Sequence, residues 1–567
     1  MGFRSRSESA RQGSTPRENP HAVRNSANDK GTKGGNRRGQ RGRHDEKDTR
    51  GEAPQRGTVS RGYQQRRPDD RDNRGRGHRR DRGQQSRQGS SGDKVRDLVL
   101  QVIREVTQEG AFANLVLPKA LKQSQFKGRD AAFATELTYG TLRALGLLDA
   151  VIAKAAGRPV AKIDSMVLDI LRLGTYQILR TRVDDHAAVD TSVNLAKANG
   201  EGKASGFVNG VLRTITRTSV EDWLDKVAGE DSITDLGLRH AHPGWIAAAF
   251  NSALGGTDAT PAHDLEAALA ADDQRPLVHL AARPGQMSAE ELALVTGGDE
   301  GKFSPYAVYL AEGSPGDVEP VRDRLASVQD EGSQLIGLAL VRARVGDSGV
   351  DNGRWLDLCA GPGGKTAFIA SWAVAENARV DAVEVAAHRA KLVSSAVDSL
   401  PVNVHVGDGR RVRDISGLDV PEHGFDRVLV DAPCTGLGAL RRRPEARWFK
   451  QPGDVVNLVA LQKELLTSAL QVTSPGGVVI YSTCSPHQAE TTDVVRAVAD
   501  KTGAEILNVR ELLPELEGTD AAARLSDASR TEDPHFVQLW PHRHGTDAMF
   551  IAALRPKAIQ LTGSTSD

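Results

Sequence analysis

The spacing of apolar residues changes along the chain and divides it into segments with different predicted structures. From Asp93 onward, apolar side chains recur every three or four residues, beginning with Val95, Leu98 and Val99. This period places them on one face of an amphipathic helix, for which Asp93 is a suitable N-cap. The same period continues at 131–152, 165–180, 186–197 and 206–217. We therefore predict an all-α domain over residues 93–225.

The pattern becomes mixed and then alternates between strand and helix. Residues 226–330 contain a helical run at 243–254 and a strand-like run at 276–282, which predicts a small mixed α/β connecting subdomain. A helical run follows, and then short apolar runs occur at 354–358, 379–385, 402–406, 425–430, 476–482, 504–509 and 548–554. Helical stretches separate them. This alternation predicts an α/β domain over 331–557 with a mostly parallel sheet covered on both faces.

The two ends of the chain lack such patterns. Residues 1–92 are rich in Arg, Gly, Ser, Gln and Asp and nearly devoid of aliphatic side chains, so we expect a disordered tail. Residues 1–93 carry 24 Lys and Arg against 12 Asp and Glu, although the whole chain has 74 of each kind. Such a tail either binds RNA through its arginines or solubilises the protein without a partner. Residues 558–567 are expected to form a flexible C-terminal tail.

Composition removes several functional classes. No window approaches the ~18 consecutive apolar residues of a membrane span, and the N-terminus lacks the apolar core of a secretory signal. We therefore expect a soluble, cytoplasmic protein that contacts no membrane. The three cysteines, Cys359, Cys434 and Cys484, are too few and too widely spaced for a disulfide framework or a zinc site. No metal is expected.

The stretch WLDLCAGPGGKTA (355–367) has two interpretations. It ends in Gly364-Lys365-Thr366, as a phosphate-binding loop does, but that motif needs a glycine five residues before Gly364 and Cys359 stands there. Asp431 could supply the magnesium ligand that such a loop requires, so spacing disfavours a nucleotide hydrolase without excluding it.

The second interpretation is a site for a nucleoside cofactor. The strand at 354–358 leads into a glycine loop and a helix, and acidic residues end the next three strands at Glu384, Asp408 and Asp431. Open α/β sheets bind ligands at this edge, where Glu384 can accept from both ribose hydroxyls and Asp408 from the adenine amino group. Without phosphate-binding basic residues on the loop, an adenosine carrying a sulfonium fits better than a dinucleotide.

Two cysteines follow neighbouring strands, Cys434 after the fourth and Cys484 after the fifth. They could be core thiols, but both lie in Gly-, Pro-, Ser- and Thr-rich loops at the predicted ligand edge. Beside a methyl donor, a thiolate suits C5 methylation of cytosine, because its addition at C6 makes C5 nucleophilic. Asp431 is the nearest carboxylate that could contact the activated ring. Spacing does not decide which cysteine attacks.

Four motifs, at 357–366, 425–438, 441–448 and 481–485, resemble the RNA cytosine-C5 methyltransferases of the Nol1/Nop2/Sun group. The resemblance implies a Rossmann-like class I methyltransferase in which Cys484 is the nucleophile and Cys434 assists proton removal and product release. DNA cytosine methyltransferases use a Pro-Cys cysteine instead, and that analogy would exchange the two roles. Lys365 and Asp431 are implied to contact the target cytosine. The implied S-adenosylmethionine site comprises Cys359, Ala360, Gly361, Pro362, Gly363, Gly364, Lys365, Glu384, Asp408 and Asp431.

The helical region carries a second resemblance. Its stretches at 129–143, 167–179, 185–197 and 206–213 resemble a NusB-type RNA-binding bundle. Joined to the methyltransferase motifs, this bundle is typical of the bacterial Sun/Fmu-type enzymes, which methylate a cytosine in small-subunit (16S) ribosomal RNA. The resemblance implies that RNA as partner, and we expect a monomer. The family's Arg-x-Asn after the strand at 276–282 is missing, with Arg283 as a possible substitute.

Other polar residues admit two roles. Arg441 and Arg442, just after the Cys434 loop, are predicted to contact RNA phosphates, although a solvated basic face is the commoner role of such a run. Trp448 either stacks on a base or belongs to the core. His542 and His544 are expected to be structural. The alternative function is a NusB-like antitermination or ribosome-assembly factor whose methyltransferase fold is idle.

Overall fold

The computed structural model describes residues 90–230, 232–346, 351–527 and 531–557. Most of the predicted N-terminal tail (1–89) and the whole predicted C-terminal tail (558–567) lie outside the described residues. Among the described helices, none combines the length and the apolar character that crossing a lipid bilayer requires.

The first described segment is helical. Its helices are α1 (Lys94–Glu109), α2 (Ala113–Ser124), α3 (Gly128–Arg143), α4 (Leu145–Ala156), α5 (Ser165–Arg180), α6 (Asp185–Ala198), α7 (Ser205–Ile215) and α8 (Val220–Val227). The predicted N-cap of α1 is confirmed, because the Asp93 carboxylate accepts a hydrogen bond from the Arg96 amide. Helix α1 ends at Gly110, whose φ of 70° favours glycine. Val99 and Ile103 of the α1 stripe are fully buried in the core of this bundle.

The connecting segment combines short helices with a small sheet. It comprises α9 (Ile233–Arg239), α10 (Gly244–Ala253), α11 (Leu265–Asp272), β1 (Val278–Ala282), α12 (Ala289–Thr296), β2 (Asp299–Glu300), β3 (Ala307–Leu310), α13 (Glu319–Arg322) and β4 (Ala326–Val328). The four strands form an antiparallel sheet in the order β2-β3-β1-β4. The run predicted as a strand at 276–282 thus becomes the inner strand β1.

The last segment forms a large α/β layer. Its elements are α14 (Glu331–Arg342), β5 (Arg354–Asp357), α15 (Gly364–Ala375), β6 (Arg379–Glu384), α16 (Ala387–Ala396), β7 (Val402–Val406), β8 (Phe425–Asp431), α17 (Ala446–Phe449), α18 (Pro452–Val472), β9 (Thr473–Thr483), α19 (Thr492–Thr502), β10 (Glu505–Leu507), β11 (Ala522–Arg524), β12 (Glu532–Gln538), α20 (Pro541–His544) and β13 (Phe550–Arg555).

The sheet of this layer has a parallel half and an antiparallel half. Its order among the described strands is β11-β12-β13-β9-β8-β5-β6-β7, with β10 paired to β13. Strands β9, β8, β5, β6 and β7 are parallel, whereas β10 to β13 are antiparallel. The prediction of a mostly parallel sheet was correct only for the first five strands. It missed β11 and β12, because β12 contains Pro534 and exposed polar residues that do not produce a strand pattern.

The strand order determines where a ligand can bind. The chain passes from β5 to β6 on one side and returns to β8 on the other side of β5. An open sheet leaves a crevice at such a switch point, outside the carboxyl ends of the strands. The glycine loop after β5 and the cysteine loop after β8 therefore meet there.

Candidate active site

The glycine loop after β5 needs glycine at two positions. A Cβ on Gly361 would lie 2.2 Å from Oε2 of Glu384, and a Cβ on Gly363 would lie 2.9 Å from Cα of Val393. Gly363 also has a φ of 111°, which favours glycine. The amide of Gly361 donates to Oε2 of Glu384 over 3.1 Å, so the loop is held against the end of β6.

The remaining loop residues argue against a phosphate-binding loop. The hydroxyl of Thr366 donates to the buried Asp357 over 2.7 Å, so it is engaged within the core. Burial raises the pKa of Asp357 to about 7. Cys359 is partly buried beside Asp357, and burial raises the pKa of its thiol. Ala360 is tied to β6 through its amide, which donates to the Val383 carbonyl over 2.9 Å.

All three acids at the strand ends have partners within the protein, including Glu384 and Asp408. Glu384 is buried and accepts from the amides of Gly361 and Ala386. Asp408 accepts from the Arg410 guanidinium, and this hydrogen bonding lowers the pKa of the carboxyl. The structure thus adds Arg410 to the surroundings of Asp408, which the sequence did not indicate.

Two apolar side chains at the same edge were missed by sequence reasoning. Val385 follows Glu384 and is 67% exposed, and Val406 lies two residues before Asp408 and is 55% exposed. The sequence did contain a signal for them. Strands usually end in polar loops, but here an apolar residue stands close to the acid at each of two strand ends. They provide contact surface for a flat apolar ring.

Lys365 and Asp431 lie together at the end of β8. Nζ of Lys365 is 2.8 Å from Oδ2 of Asp431, and the hydroxyl of Ser482 donates to the other oxygen over 2.9 Å. Burial lowers the pKa of Lys365, but the ion pair with Asp431 outweighs this effect and the net pKa is raised. Lys365 is therefore a cation held by a carboxylate.

The two cysteine loops converge at the same place. Sγ of Cys434 is 3.4 Å from Sγ of Cys484, within hydrogen-bonding distance for sulfur, and both side chains are partly buried. The amide of Gly438, beyond Cys434, donates to the Cys484 carbonyl over 2.8 Å. Cys434 and Cys484 are therefore in contact with each other at the ligand edge of the sheet, which argues against the alternative that they are two separate core thiols.

The two thiols differ in acidity. The pKa of Cys484 is lowered, first by the hydrogen bond with Cys434 and then by the positive charge of Lys365. Burial and the charge of Asp431 oppose this lowering but do not cancel it. The hydrogen bond with Cys484 and burial raise the pKa of Cys434. The thiolate is the nucleophilic form of cysteine, and these surroundings favour ionisation of Cys484 over ionisation of Cys434.

Comparisons with known proteins show which family the chain belongs to. A family model described as 16S rRNA methyltransferase RsmB/F matches residues 348–555, and the NusB family model matches residues 93–217. "Putative methyltransferase Rv1407" of Mycobacterium tuberculosis is 54% identical over 82% of this chain and 96% of the relative. "Probable ribosomal RNA small subunit methyltransferase B" of Bacillus subtilis is 30% identical over 82% of this chain and 99% of the relative. The chain belongs to the RsmB/F family of methyltransferases.

The fold of this RsmB/F-family chain is also found in solved structures. The structure of the protein PH0851 superposes with a TM-score of 0.64 at 19% identity and covers 81% of this chain and 97% of that protein. At this identity the likeness concerns the fold alone.

Arg441 and Arg442, which the sequence predicts as phosphate contacts, form ion pairs within the protein. Arg441 is only 8% exposed and donates to Asp547 over 3.2 Å. Arg442 donates to Asp547 over 2.9 Å and to Asp330 over 2.8 Å. The two arginines therefore tie the segment after Cys434 to the N-cap of α14 and to the turn before β13.

The remaining predicted RNA contact lies beside the glycine loop. Arg283 is partly buried and donates to the carbonyl of Ala396, at the end of α16, over 3.5 Å. Burial and the neighbouring Arg324 lower the pKa of Arg283. The structure brings this residue to the end of the helix that packs against Gly363, away from the segment with Arg441 and Arg442.

The segment after Cys434 also reaches the helical bundle. The indole of Trp448 donates to the Arg143 carbonyl over 2.8 Å and packs against Gly146, so Trp448 belongs to the core between the two segments. Arg447 is fully buried and donates to Asp272 over 3.1 Å. In this RsmB/F-family chain, helix α17 is thus a structural link to the cysteine loop.

The two histidines near the C-terminus are structural, as expected. His542 bonds to Asp264 over 2.8 Å, and His544 accepts from the Trp540 amide over 3.0 Å. Among the described residues, no group of three or more His, Cys, Asp and Glu side chains is arranged to hold a metal ion.

Proposed function

We propose that this protein transfers a methyl group from S-adenosylmethionine to C5 of a cytosine in 16S ribosomal RNA, through a covalent bond between Cys484 and C6. The observation that carries the proposal is the thiol pair, with Sγ atoms 3.4 Å apart, beside the Lys365–Asp431 ion pair. Membership of the RsmB/F family and the NusB match support ribosomal RNA as the substrate. The name of the Bacillus subtilis relative points to the same RNA.

The residues at the sheet edge fit S-adenosylmethionine. Gly361 lets the loop backbone lie directly against Glu384, because a Cβ there would be 2.2 Å from Oε2 of that residue. Glu384 and Asp408 are suited to the ribose hydroxyls and the adenine amino group, and Val385 and Val406 expose apolar surface for the adenine ring. When bound, S-adenosylmethionine supplies an electrophilic methyl group on a cationic sulfonium.

The protein prepares the cytosine for alkylation in one step. The thiolate of Cys484 adds to C6, which forms an S–C bond and moves the electron pair of the C5–C6 double bond to C5 and into the ring. The ammonium of Lys365 and the carboxyl group of Asp431, which are in contact with each other, would contact the polar edge of the ring and stabilise the charge that develops there. C5 would then bond to the methyl group as the bond between that methyl group and the sulfonium breaks, and the electron pair of the broken bond would stay on the sulfur of S-adenosylhomocysteine.

Release of the product needs a second thiol. After methylation, C5 carries both a proton and the methyl group. Cys434 assists removal of that proton, whose C–H electron pair restores the C5–C6 double bond and expels Cys484 as a thiolate. Cys434 is a thiol in the resting enzyme, because its pKa is raised. Once it has lost that proton to solvent, its thiolate is a strong base, takes the C5 proton and becomes a thiol again.

A direct assay tests the proposed function. The full chain is incubated with methyl-labelled S-adenosylmethionine and unmodified 16S ribosomal RNA, and the nucleosides are analysed by mass spectrometry. We expect labelled 5-methylcytosine at a single position. Donor binding without labelled 5-methylcytosine would contradict the proposal and favour an idle fold that binds RNA.

A further inference from the structure

A buried carboxylate outside the predicted site lies directly behind the thiol pair. Glu490 follows β9 in a short helical turn (Gln488–Glu490) and its side chain is fully buried. One oxygen accepts from the Thr435 amide over 2.8 Å, and the other accepts from the Ser485 hydroxyl over 2.7 Å. The Thr435 hydroxyl also donates to Glu490. Both oxygens of the Glu490 carboxylate thus accept hydrogen bonds from the protein.

Both partners of Glu490 are immediate neighbours of the cysteines. Thr435 follows Cys434 and Ser485 follows Cys484, and their hydroxyl oxygens are 3.2 Å apart. Each loop has left its strand at this point, because the sheet ladder between β8 and β9 ends near Asp431. Beyond that, the Gly438 amide donates to the Cys484 carbonyl, and Glu490 contacts both loops next to the cysteines.

A third element completes this arrangement. The side-chain amide of Gln462, on α18, donates to Glu490 over 3.1 Å and to the Pro433 carbonyl over 2.9 Å. Pro433 precedes Cys434, so the residues on both sides of this cysteine are held. The backbone carbonyl of Glu490 also accepts from the Tyr481 hydroxyl over 2.8 Å, and this bond survives any substitution of the side chain.

We propose that Glu490 is a positioning residue for methyl transfer, whose carboxylate holds the two cysteine loops together and so sets the distance between their thiols. The proposal rests on the cysteine roles of the proposed function. A carboxylate accepts from the two N–H groups on one oxygen and from the two hydroxyls on the other. An amide would place an NH₂ group at one of these two positions and would reverse or break the hydrogen bonds there. The charge of Glu490 also contributes to the raised pKa of Cys434, after the hydrogen bond with Cys484 and burial.

The first test compares two isosteric variants of buried glutamates. Glu490→Gln removes the acceptor between the cysteine loops. Glu331→Gln is the matched control, because Glu331 is also fully buried and accepts from the amides of Phe303 and Ser304, away from the cysteine loops. Rates are normalised to the concentration of donor-binding sites, so loss of folded protein does not enter. We expect Glu490→Gln to lower kcat by about 100-fold with little change in KM for RNA, while Glu331→Gln retains kcat.

A second variant allows for poor folding of Glu490→Gln. Thr435→Val removes one hydroxyl donor to Glu490 and leaves the backbone donor in place. It should lower kcat in the same direction by about tenfold, because one of several positioning bonds is lost. Unchanged kcat in both variants would overturn the proposal.

The distance between the thiols is measured without the methylation assay. Phenylarsine oxide condenses with two thiols to give a bis-thiolate arsenic adduct and water, and one arsenic bridges two sulfur atoms only when they are close, as at 3.4 Å here. We expect its Kd to rise about tenfold in Glu490→Gln and to remain unchanged in Glu331→Gln. The variant Cys434→Ala has only the Cys484 thiol at this place, so it gives the Kd of phenylarsine oxide for a single thiol.

The two readouts distinguish the failure of each claim. Unchanged arsenic affinity in Glu490→Gln would show that Glu490 does not hold the thiols together, and the inference would be wrong. If the wild-type protein binds the donor but forms no 5-methylcytosine, the proposed function fails. In that case a loss of arsenic affinity in Glu490→Gln still establishes that Glu490 positions the two loops.

Discussion

Lys365 and Asp431 form an ion pair that joins the start of α15 to the end of β8, with Nζ 2.8 Å from Oδ2. Lys365 belongs to the first turn of the helix after β5, and Asp431 is the last residue of β8. The pair therefore lies at the switch point of the sheet, next to the thiols. There, Lys365 lowers the pKa of Cys484, whereas the charge of Asp431 opposes this effect.

The first prediction concerns the cation of this pair. In Lys365→Met, Cys484 loses the positive charge that lowers its pKa but keeps the negative charge of Asp431. The thiol should then ionise at higher pH, and less thiolate should be present at neutral pH. The pH profile of alkylation of Cys484 by iodoacetamide, followed by peptide mass spectrometry, should shift to higher pH. An unshifted profile would show that Lys365 does not act on this thiol.

The second prediction separates the roles of the two cysteines. Cys484→Ala should abolish formation of 5-methylcytosine, because no thiolate can add to C6. Cys434→Ala should instead accumulate RNA bound covalently to the protein, because the addition occurs and the release is impaired. Denaturing gels with labelled RNA detect this adduct. An adduct in Cys484→Ala and none in Cys434→Ala would mean that the roles are exchanged, as in the DNA enzymes.

The third prediction uses three glycines of one loop. In Gly361→Ala the new methyl group would lie 2.2 Å from Glu384, and in Gly363→Ala it would meet the backbone of Val393 at a φ of 111°. Both should weaken S-adenosylmethionine binding at least tenfold, which is about 1.4 kcal/mol. Gly364→Ala is the control, because its Cβ would meet no atom within 4 Å. Calorimetric titration measures the three affinities, and equal losses in all three would exclude this steric cause.

The parts of the fold that could be predicted are those with a recognisable pattern of apolar residues or a capping residue in the sequence. Helix periodicity and a capping residue were sufficient to find α1 and its N-cap Asp93. The five parallel strands were found because each is a short apolar run between helices. Strand β12 was not found, because Pro534 and its exposed polar neighbours give no apolar pattern, and the strand is defined by its pairing with β11 and β13.

The site was predictable to the same degree. The rule that ligands bind at the carboxyl ends of parallel strands placed Glu384, Asp408 and Asp431 together. It does not specify side-chain partners between loops distant in sequence, so the contacts of Glu490 were missed. The ion pair of Arg442 was missed for a related reason, since its partner Asp330 lies 112 residues away.

The fourth prediction concerns that arginine. Arg442→Met leaves Asp330 and Asp547 without one of their cationic partners in a buried setting. Removing one member of a buried ion pair should cost about 3 kcal/mol of unfolding free energy, measured by urea denaturation. The exposed Arg443, next in sequence, is the control, and Arg443→Met should leave stability unchanged. Unchanged stability of Arg442→Met with weaker, less salt-dependent RNA binding would restore the phosphate contact.

The fifth prediction is a loss of stability in mild acid that depends on His544. Burial lowers the pKa of this histidine from 6.5 to about 4, and its Nδ1 accepts from the Trp540 amide, which requires an unprotonated nitrogen. In the unfolded chain the same side chain takes up a proton near its ordinary pKa. Between pH 6.5 and 4 the unfolded state therefore binds more protons, and the folded state loses stability as the pH falls.

The loss from this residue should reach about 3 kcal/mol over that interval. His544→Asn tests the assignment, because the amide oxygen can accept from Trp540 and does not titrate. Urea denaturation at pH 7 and at pH 4.5 should show a smaller loss in His544→Asn than in the wild type. Equal losses would mean that other groups cause the acid sensitivity. A smaller loss in His544→Asn would show that the acid sensitivity arises at His544, at the end of α20. There, protonation of Nδ1 breaks the hydrogen bond from the Trp540 amide.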